Sequence, residues 1–114
     1  MNDIVHIIGR YTNYNYVYCL YKWDGTTLTR ENMPYSCEGC TVLLYKNEVH
    51  ILGDAGGTNN KAHYKYNGSS WSSVSTMPFG SDSSYRAAVL NDEIHLFGCG
   101  SWNYHHKWNG SSWT

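Results

Sequence analysis

The words Lys65-Tyr66-Asn67-Gly68-Ser69-Ser70-Trp71 return almost unchanged as Lys107-Trp108-Asn109-Gly110-Ser111-Ser112-Trp113, and in a worn form as Lys22-Trp23-Asp24-Gly25-Thr26-Thr27-Leu28. No other feature constrains the chain so tightly. An Asn-Gly or Asp-Gly pair supplies two residues that tolerate positive φ, as a tight primed turn between antiparallel strands requires. Each copy is therefore predicted to be a hairpin, with the aromatic residue before the turn and the Trp or Leu after it as packing side chains.

A second repeated word precedes each hairpin: Ile4-Val5-His6-Ile7-Ile8-Gly9, Glu48-Val49-His50-Ile51-Leu52-Gly53 and Glu93-Ile94-His95-Leu96-Phe97-Gly98. Both words step along the chain by 42 to 45 residues. A period of about 40 to 50 residues holding four strand-sized segments is the signature of a β-propeller blade. Helical periodicity is absent, so an all-β fold of four-stranded antiparallel sheets is expected, with no helix longer than a turn.

The repeats divide the 114 residues into a partial blade over 1–34, a complete blade over 35–78 and a blade lacking most of its last strand over 79–114. Two blades and parts of a third are too few for a closed ring, since propellers use about four to eight. Met33-Pro34 and Met77-Pro78 mark strand ends, because Pro cannot donate to a ladder.

Net charge is −1 and charged residues make up 15% of the chain, so there is no basic footprint for nucleic acid. No apolar run is long enough to span a membrane as a helix, and Ile4 to Ile8 is too short for the core of a signal peptide. The expectation is a chain that stays inside its cell, or a piece of a virion or surface protein whose export signal lies elsewhere. Aromatic residues reach 16%, with 11 Tyr and 5 Trp. Strand packing accounts for much of that, and a binding surface of amphipathic rings for the rest.

An apolar strand closing on Gly9, Gly53 or Gly98, an aromatic strand bearing Trp23, Tyr66 or Trp108, a tight turn, Trp71 or Trp113 and a Met-Pro resemble the kelch repeat of kelch-type β-propellers. The resemblance covers nearly the whole chain. The usual Gly-Gly pair departs from the pattern, since Arg10, Asp54 and Cys99 replace its second Gly, and His6, His50 and His95 stand where Tyr is usual. The Lys-Trp/Tyr-Asn-Gly-Ser-Ser-Trp wording is more similar to kelch-like repeats of bacterial and phage surface or tail proteins. The resemblance implies an incomplete ring of kelch-like blades that recognises a ligand or completes itself with other blades.

His6, His50 and His95 recur on an apolar strand and are expected as buried or half-buried packing residues between blades. His63 and His105 share a position on the third strand and are expected at the surface. Cys37-x-x-Cys40 is the only closely spaced cysteine pair, and no second pair supplies the further ligands a structural zinc needs. Free thiols are the first reading, a local disulfide the second and a metal site the last. Galactose-oxidase-like enzymes hold copper by Tyr and His on a kelch propeller, but no matching ligand motif, nucleophile–base pair or phosphate loop stands here. The expectation is a non-enzyme without cofactor or metal.

The loops between second and third strands and the connections between blades diverge while the strand words stay fixed, which is how a binding surface is built on a scaffold. Tyr11, Tyr14, Tyr16, Phe79 and Trp102 are candidates to stack on sugar rings or anchor a protein epitope, with Asn13, Asn15, Asn60 and Asn103 as hydrogen-bond partners. The sequence thus points to a non-catalytic module binding protein or glycan through its loop face. The alternative is a structural repeat unit that closes a propeller as a homo-oligomer or within a larger protein.

Overall fold

The computed structural model describes residues 4–11, 17–34, 40–53, 61–77, 86–98 and 105–114, with backbone alone for Arg10, Tyr11 and Val17. Those residues form three small antiparallel sheets and no helix. Sheet one contains β1 (Val5–Tyr11), β2 (Val17–Trp23) and β3 (Leu28–Asn32). Sheet two contains β4 (Thr41–Tyr45), β5 (Glu48–Leu52), β6 (His63–Tyr66) and β7 (Trp71–Ser73). Sheet three contains β8 (Arg86–Leu90), β9 (Glu93–Phe97) and β10 (His105–Trp108). Each is a meander, its strands ordered in space as in sequence. A single bridge from Trp108 to Trp113 begins one further strand beside β10. The three sheets do not close into a ring.

The turns depart from expectation. Asp24-Gly25, Asn67-Gly68 and Asn109-Gly110 do not form two-residue primed turns. The pairs Trp23–Leu28 and Tyr66–Trp71 enclose four-residue loops. In each loop the Gly alone carries positive φ, +96° at Gly25, +105° at Gly68 and +101° at Gly110. The Asp or Asn instead turns its side-chain oxygen back onto the backbone: Asn67 Oδ1 accepts from Ser69 N at 2.9 Å and Ser70 N at 3.0 Å, and Asp24 and Asn109 repeat the pattern. The short polar side chain closes the loop that backbone twist was expected to close. Hydrogen bonds from Thr27 N and Thr26 N hold the Asp24 carboxyl below the usual carboxylate range.

The two-residue turns stand elsewhere. Tyr45 pairs with Glu48 and Leu90 with Glu93, so Lys46-Asn47 and Asn91-Asp92 are the connecting pairs, and all four residues have positive φ between 48° and 62°. Such φ values at both central residues are what a type I′ hairpin requires. Neither pair contains Gly, but three of the four residues are Asn or Asp, whose short polar side chains tolerate the left-handed region.

Two apolar clusters join the sheets face to face. In the first, Tyr18, Leu20 and Met33 of sheet one and its exit meet Val49, Ile51 and Tyr66 of sheet two. In the second, Tyr45, Leu52 and Met77 meet Ile94, Leu96 and Trp108 of sheet three. The pairing is repeat-equivalent. Each sheet lays its Val/Ile-plus-aromatic face on the sheet before it, and each Met of a Met-Pro pair fills the gap between. Met33 N donates to Tyr18 O and Met77 N to Lys61 O, which fixes that plug against the sheet it leaves.

Replacing Gly68 by Ala forces φ of +105° on an L side chain and should cost about 1–2 kcal/mol. Asp92→Gly should do the opposite: it creates Asn-Gly at a two-residue turn and should stabilise by about 0.5 kcal/mol, while the Tyr45 hydroxyl keeps its bond to the residue 92 carbonyl. Urea denaturation of the two variants should move the midpoint in opposite directions.

Candidate functional site

One constellation recurs three times. His6 lies across from Lys22, His50 from Lys65 and His95 from Lys107, so each imidazole and ammonium share a sheet face. A carboxylate completes each group: Lys22 Nζ lies 3.1 Å from Glu31, Lys65 Nζ 3.3 Å from Glu48 and Lys107 Nζ 3.6 Å from Glu93. Glu48 and Glu93 hold one repeat position, which Ile4 occupies in sheet one, so Lys22 turns to Glu31 on the other neighbouring strand. These pairs are half exposed and contribute little alone, at most about 1 kcal/mol each.

What each group faces sets its character. At the first junction the buried Tyr66 hydroxyl accepts from Lys22 Nζ at 3.0 Å and donates to Gly68 O at 2.9 Å, with His6 6.5 Å away edge-on. At the second junction Trp108 stands in the place of Tyr66, and its ring meets His63 edge-on at 5.1 Å. Trp113 adds a second edge contact at 5.6 Å. A cavity of about 120 Å³ opens beside them, lined by Tyr45, Lys46, Glu48, His50, Lys65 and Trp108.

The second and third groups each contain a histidine pair. His50 Nδ1 lies 2.8 Å from His63 Nε2, and His95 Nδ1 lies 2.9 Å from His105 Nε2. One ring must donate and the other accept, so in each neutral pair both rings carry the same tautomer, either Nδ1–H or Nε2–H. The settings differ. His50 and His63 are 3% and 1% exposed, whereas His105 is exposed and stacks on Phe97 at 4.4 Å. The expected surface position holds for His105 and fails for His63, because the third sheet's tryptophans cover it. His50 is buried, as expected, and His6 and His95 are half-buried. Sheet one has no pair, since Leu20 stands at the position of His63.

Burial above all holds the His50 imidazole at about 4, with Glu48 opposing and the Lys65 ammonium adding, and that of His63 at about 3, with His50 and then Lys65 adding. Both rings are neutral at pH 7. His50 Nε2 and His63 Nδ1 have no hydrogen-bond partner among the described residues. Such a couple holds a joint together by packing and one hydrogen bond, and is a poor proton donor. Among the described residues no three His, Cys, Asp or Glu side chains gather as a metal ion would need.

Eight of the nine residues singled out for binding, Asn13, Tyr14, Asn15, Tyr16, Asn60, Phe79, Trp102 and Asn103, lie outside the described residues. The backbone of Tyr11 ends β1, opposite Val17. Of the cysteines, Cys40 is disulfide-bonded, which corrects the first reading of free thiols, and Cys19 is a buried free thiol. Cys37 and Cys99 lie outside the described residues. No helix among the described residues is long and apolar enough to cross a membrane. A histidine couple that spans two strands is invisible in the pattern of either strand alone. Its signal was present, in that His50 with His63 and His95 with His105 recur at matching repeat positions.

Because both buried imidazoles bind protons more weakly folded than unfolded, their contribution is fully present above the ordinary histidine value of 6.5 and is lost as pH falls from there toward 3. The urea midpoint should drop between pH 7 and pH 5, above the carboxylate range, and His63→Leu should flatten that slope. An unchanged slope in the variant would contradict the assignment. A scan of the chain against family models finds no match, and a search of curated proteins finds none either.

Proposed function

We propose that the chain is a non-catalytic recognition module that carries varied segments on a repeated kelch-like scaffold. One observation carries the reading. The strand ends bordering segments 12–16, 54–60 and 99–104 lie at the same end of their sheets as the strand ends bordering 35–39 and 78–85. Thr41 pairs with Leu52 and Arg86 with Phe97, so each incoming connection enters beside the strand end from which a loop departs. In sheet one Asn32, near the exit, pairs with Cys19, whose neighbour across β1 is Gly9.

These five segments are rich in Tyr, Asn, Ser and Gly. That mixture supplies rigid amphipathic rings and adaptable hydrogen-bonding groups at low entropic cost. The opposite end of each sheet carries the conserved-in-kind turns, 24–27, 67–70 and 109–112, which repeat nearly word for word. Variation at one end and repetition at the other are what selection for a ligand, protein or glycan, would leave.

The test is a screen of immobilised glycans and displayed peptides, followed by Tyr14→Ala and Trp102→Ala in any pair that binds. Affinity should fall at least tenfold, about 1.4 kcal/mol, with the far-ultraviolet dichroism unchanged. Binding that survives both substitutions would place recognition elsewhere.

A further inference from the structure

We propose that two copies of this chain join head to tail, sheet one of each docking on sheet three of the other. The inference goes beyond the loop-face reading and rests on other surfaces.

Sheets two and three bury one repeat-equivalent face against the preceding sheet: Val49, Ile51 and Tyr66 are 3%, 0% and 1% exposed, and Ile94, Leu96 and Trp108 are 0%, 0% and 3% exposed. The same positions in sheet one are Val5, Ile7 and Trp23, at 52%, 51% and 39%. Leu28, at the position of Trp71 and Trp113, is 57% exposed. The residue types are kept and their cover is missing. Four large apolar side chains on one sheet face are more than chance exposure supplies, and they match what the two internal joints hide.

The complementary surface is at the other end of the stack. Tyr45 and Leu52 of sheet two are 3% and 0% exposed beneath sheet three, whereas their equivalents Leu90 and Phe97 are 60% and 47% exposed. The His95–His105 couple lies beside them with its geometry formed, 2.9 Å between Nδ1 and Nε2. At the internal joint the equivalent couple is roofed by Trp108. Trp23 of a second copy is the residue built to roof this one, and Lys107 is placed to meet its ring as Lys22 meets Tyr66 at 5.5 Å. One face resembles every internal upper face and the other every internal lower face, so the natural cover for each is the other. Each joint is head-to-tail, and such a contact either closes into a ring or runs on as an open filament. Two copies bring six sheets, inside the range of about four to eight that a propeller ring accommodates.

Light scattering on a size-exclusion column should give twice the chain mass for the native sequence at micromolar concentration. Ile7→Glu and Phe97→Glu should each give monomers with native far-ultraviolet dichroism. An equimolar mixture of the two should recover a dimer through the one joint left intact, at an affinity at least tenfold lower. If either variant unfolds, Val5→Lys and Leu90→Lys take their places. A native monomer, an open polymer, or a dimer that only one of the two substitutions disrupts overturns the proposal. The last result would mean like faces pairing. Loss of glycan or peptide binding by Tyr14→Ala or Trp102→Ala leaves the mass unchanged, so the two readings fail separately.

Discussion

The aromatic residue that each sheet lays on its predecessor is the contact on which the structure depends. A sheet of three or four short strands cannot stand alone in water; it needs one face buried. Here the burial comes from Tyr66 at one joint and Trp108 at the other, each packed in a cluster with three aliphatic side chains, a Met and a Tyr, Tyr18 in the first and Tyr45 in the second. The two solutions differ in chemistry. Tyr66 reaches past the apolar contact to bond Lys22 and Gly68, so the joint ends in a polar clamp. Trp108 has no such reach, and a pair of neutral imidazoles fills the space that the clamp leaves. Leu20 with Tyr66, and His63 with Trp108, are matched choices: the larger ring meets the polar planar partner, the hydroxylated ring the aliphatic one.

Strand positions were legible because the repeat supplies three readings of each element. The repeated words ending in Gly53 and Gly98 contain β5 (Glu48–Leu52) and β9 (Glu93–Phe97), and the aromatic residues before the turns, Tyr66 and Trp108, end β6 and β10. The turns were less legible, since Asn-Gly satisfies two different loops. A two-residue primed turn uses both residues at positive φ, and the four-residue loop seen here uses the Gly for φ and the Asn as a side-chain cap. Composition does not separate them; the pairing of Tyr66 with Trp71, rather than of nearer residues, does. At Lys46-Asn47 the Asn tolerates positive φ and the two-residue gap between Tyr45 and Glu48 forces it on Lys46 as well.

His63 shows where one-strand reasoning stops. Alternation along β6 places His63 and Lys65 on one face, and Lys65 is half exposed, so the strand alone reads as a surface strand. The burial of His63 comes from Trp108 and Trp113, residues 45 and 50 positions later, on another sheet. No local pattern encodes that cover. The repeat does encode it, since a joint filled by His63 and Trp108 should be mirrored by the face holding His105, and His105 is found with its couple formed, stacked on Phe97 of its own sheet and, among the described residues, with no ring of another sheet on it.

A stack whose ends are complementary differs from one whose ends merely remain apolar. An apolar end associates with any apolar surface, whereas these two ends offer a cation for a ring, a formed imidazole couple for an indole edge, and aliphatic side chains in the same spacing as the internal joints. The couple's own hydrogen bond lies within one sheet, between β5 and β6, so what the joint adds is the edge contact of Trp108 on His63 at 5.1 Å, which a displaced register would lose. A register held at every joint also fixes the rotation from sheet to sheet, and whether that rotation closes on itself decides between a ring and a filament.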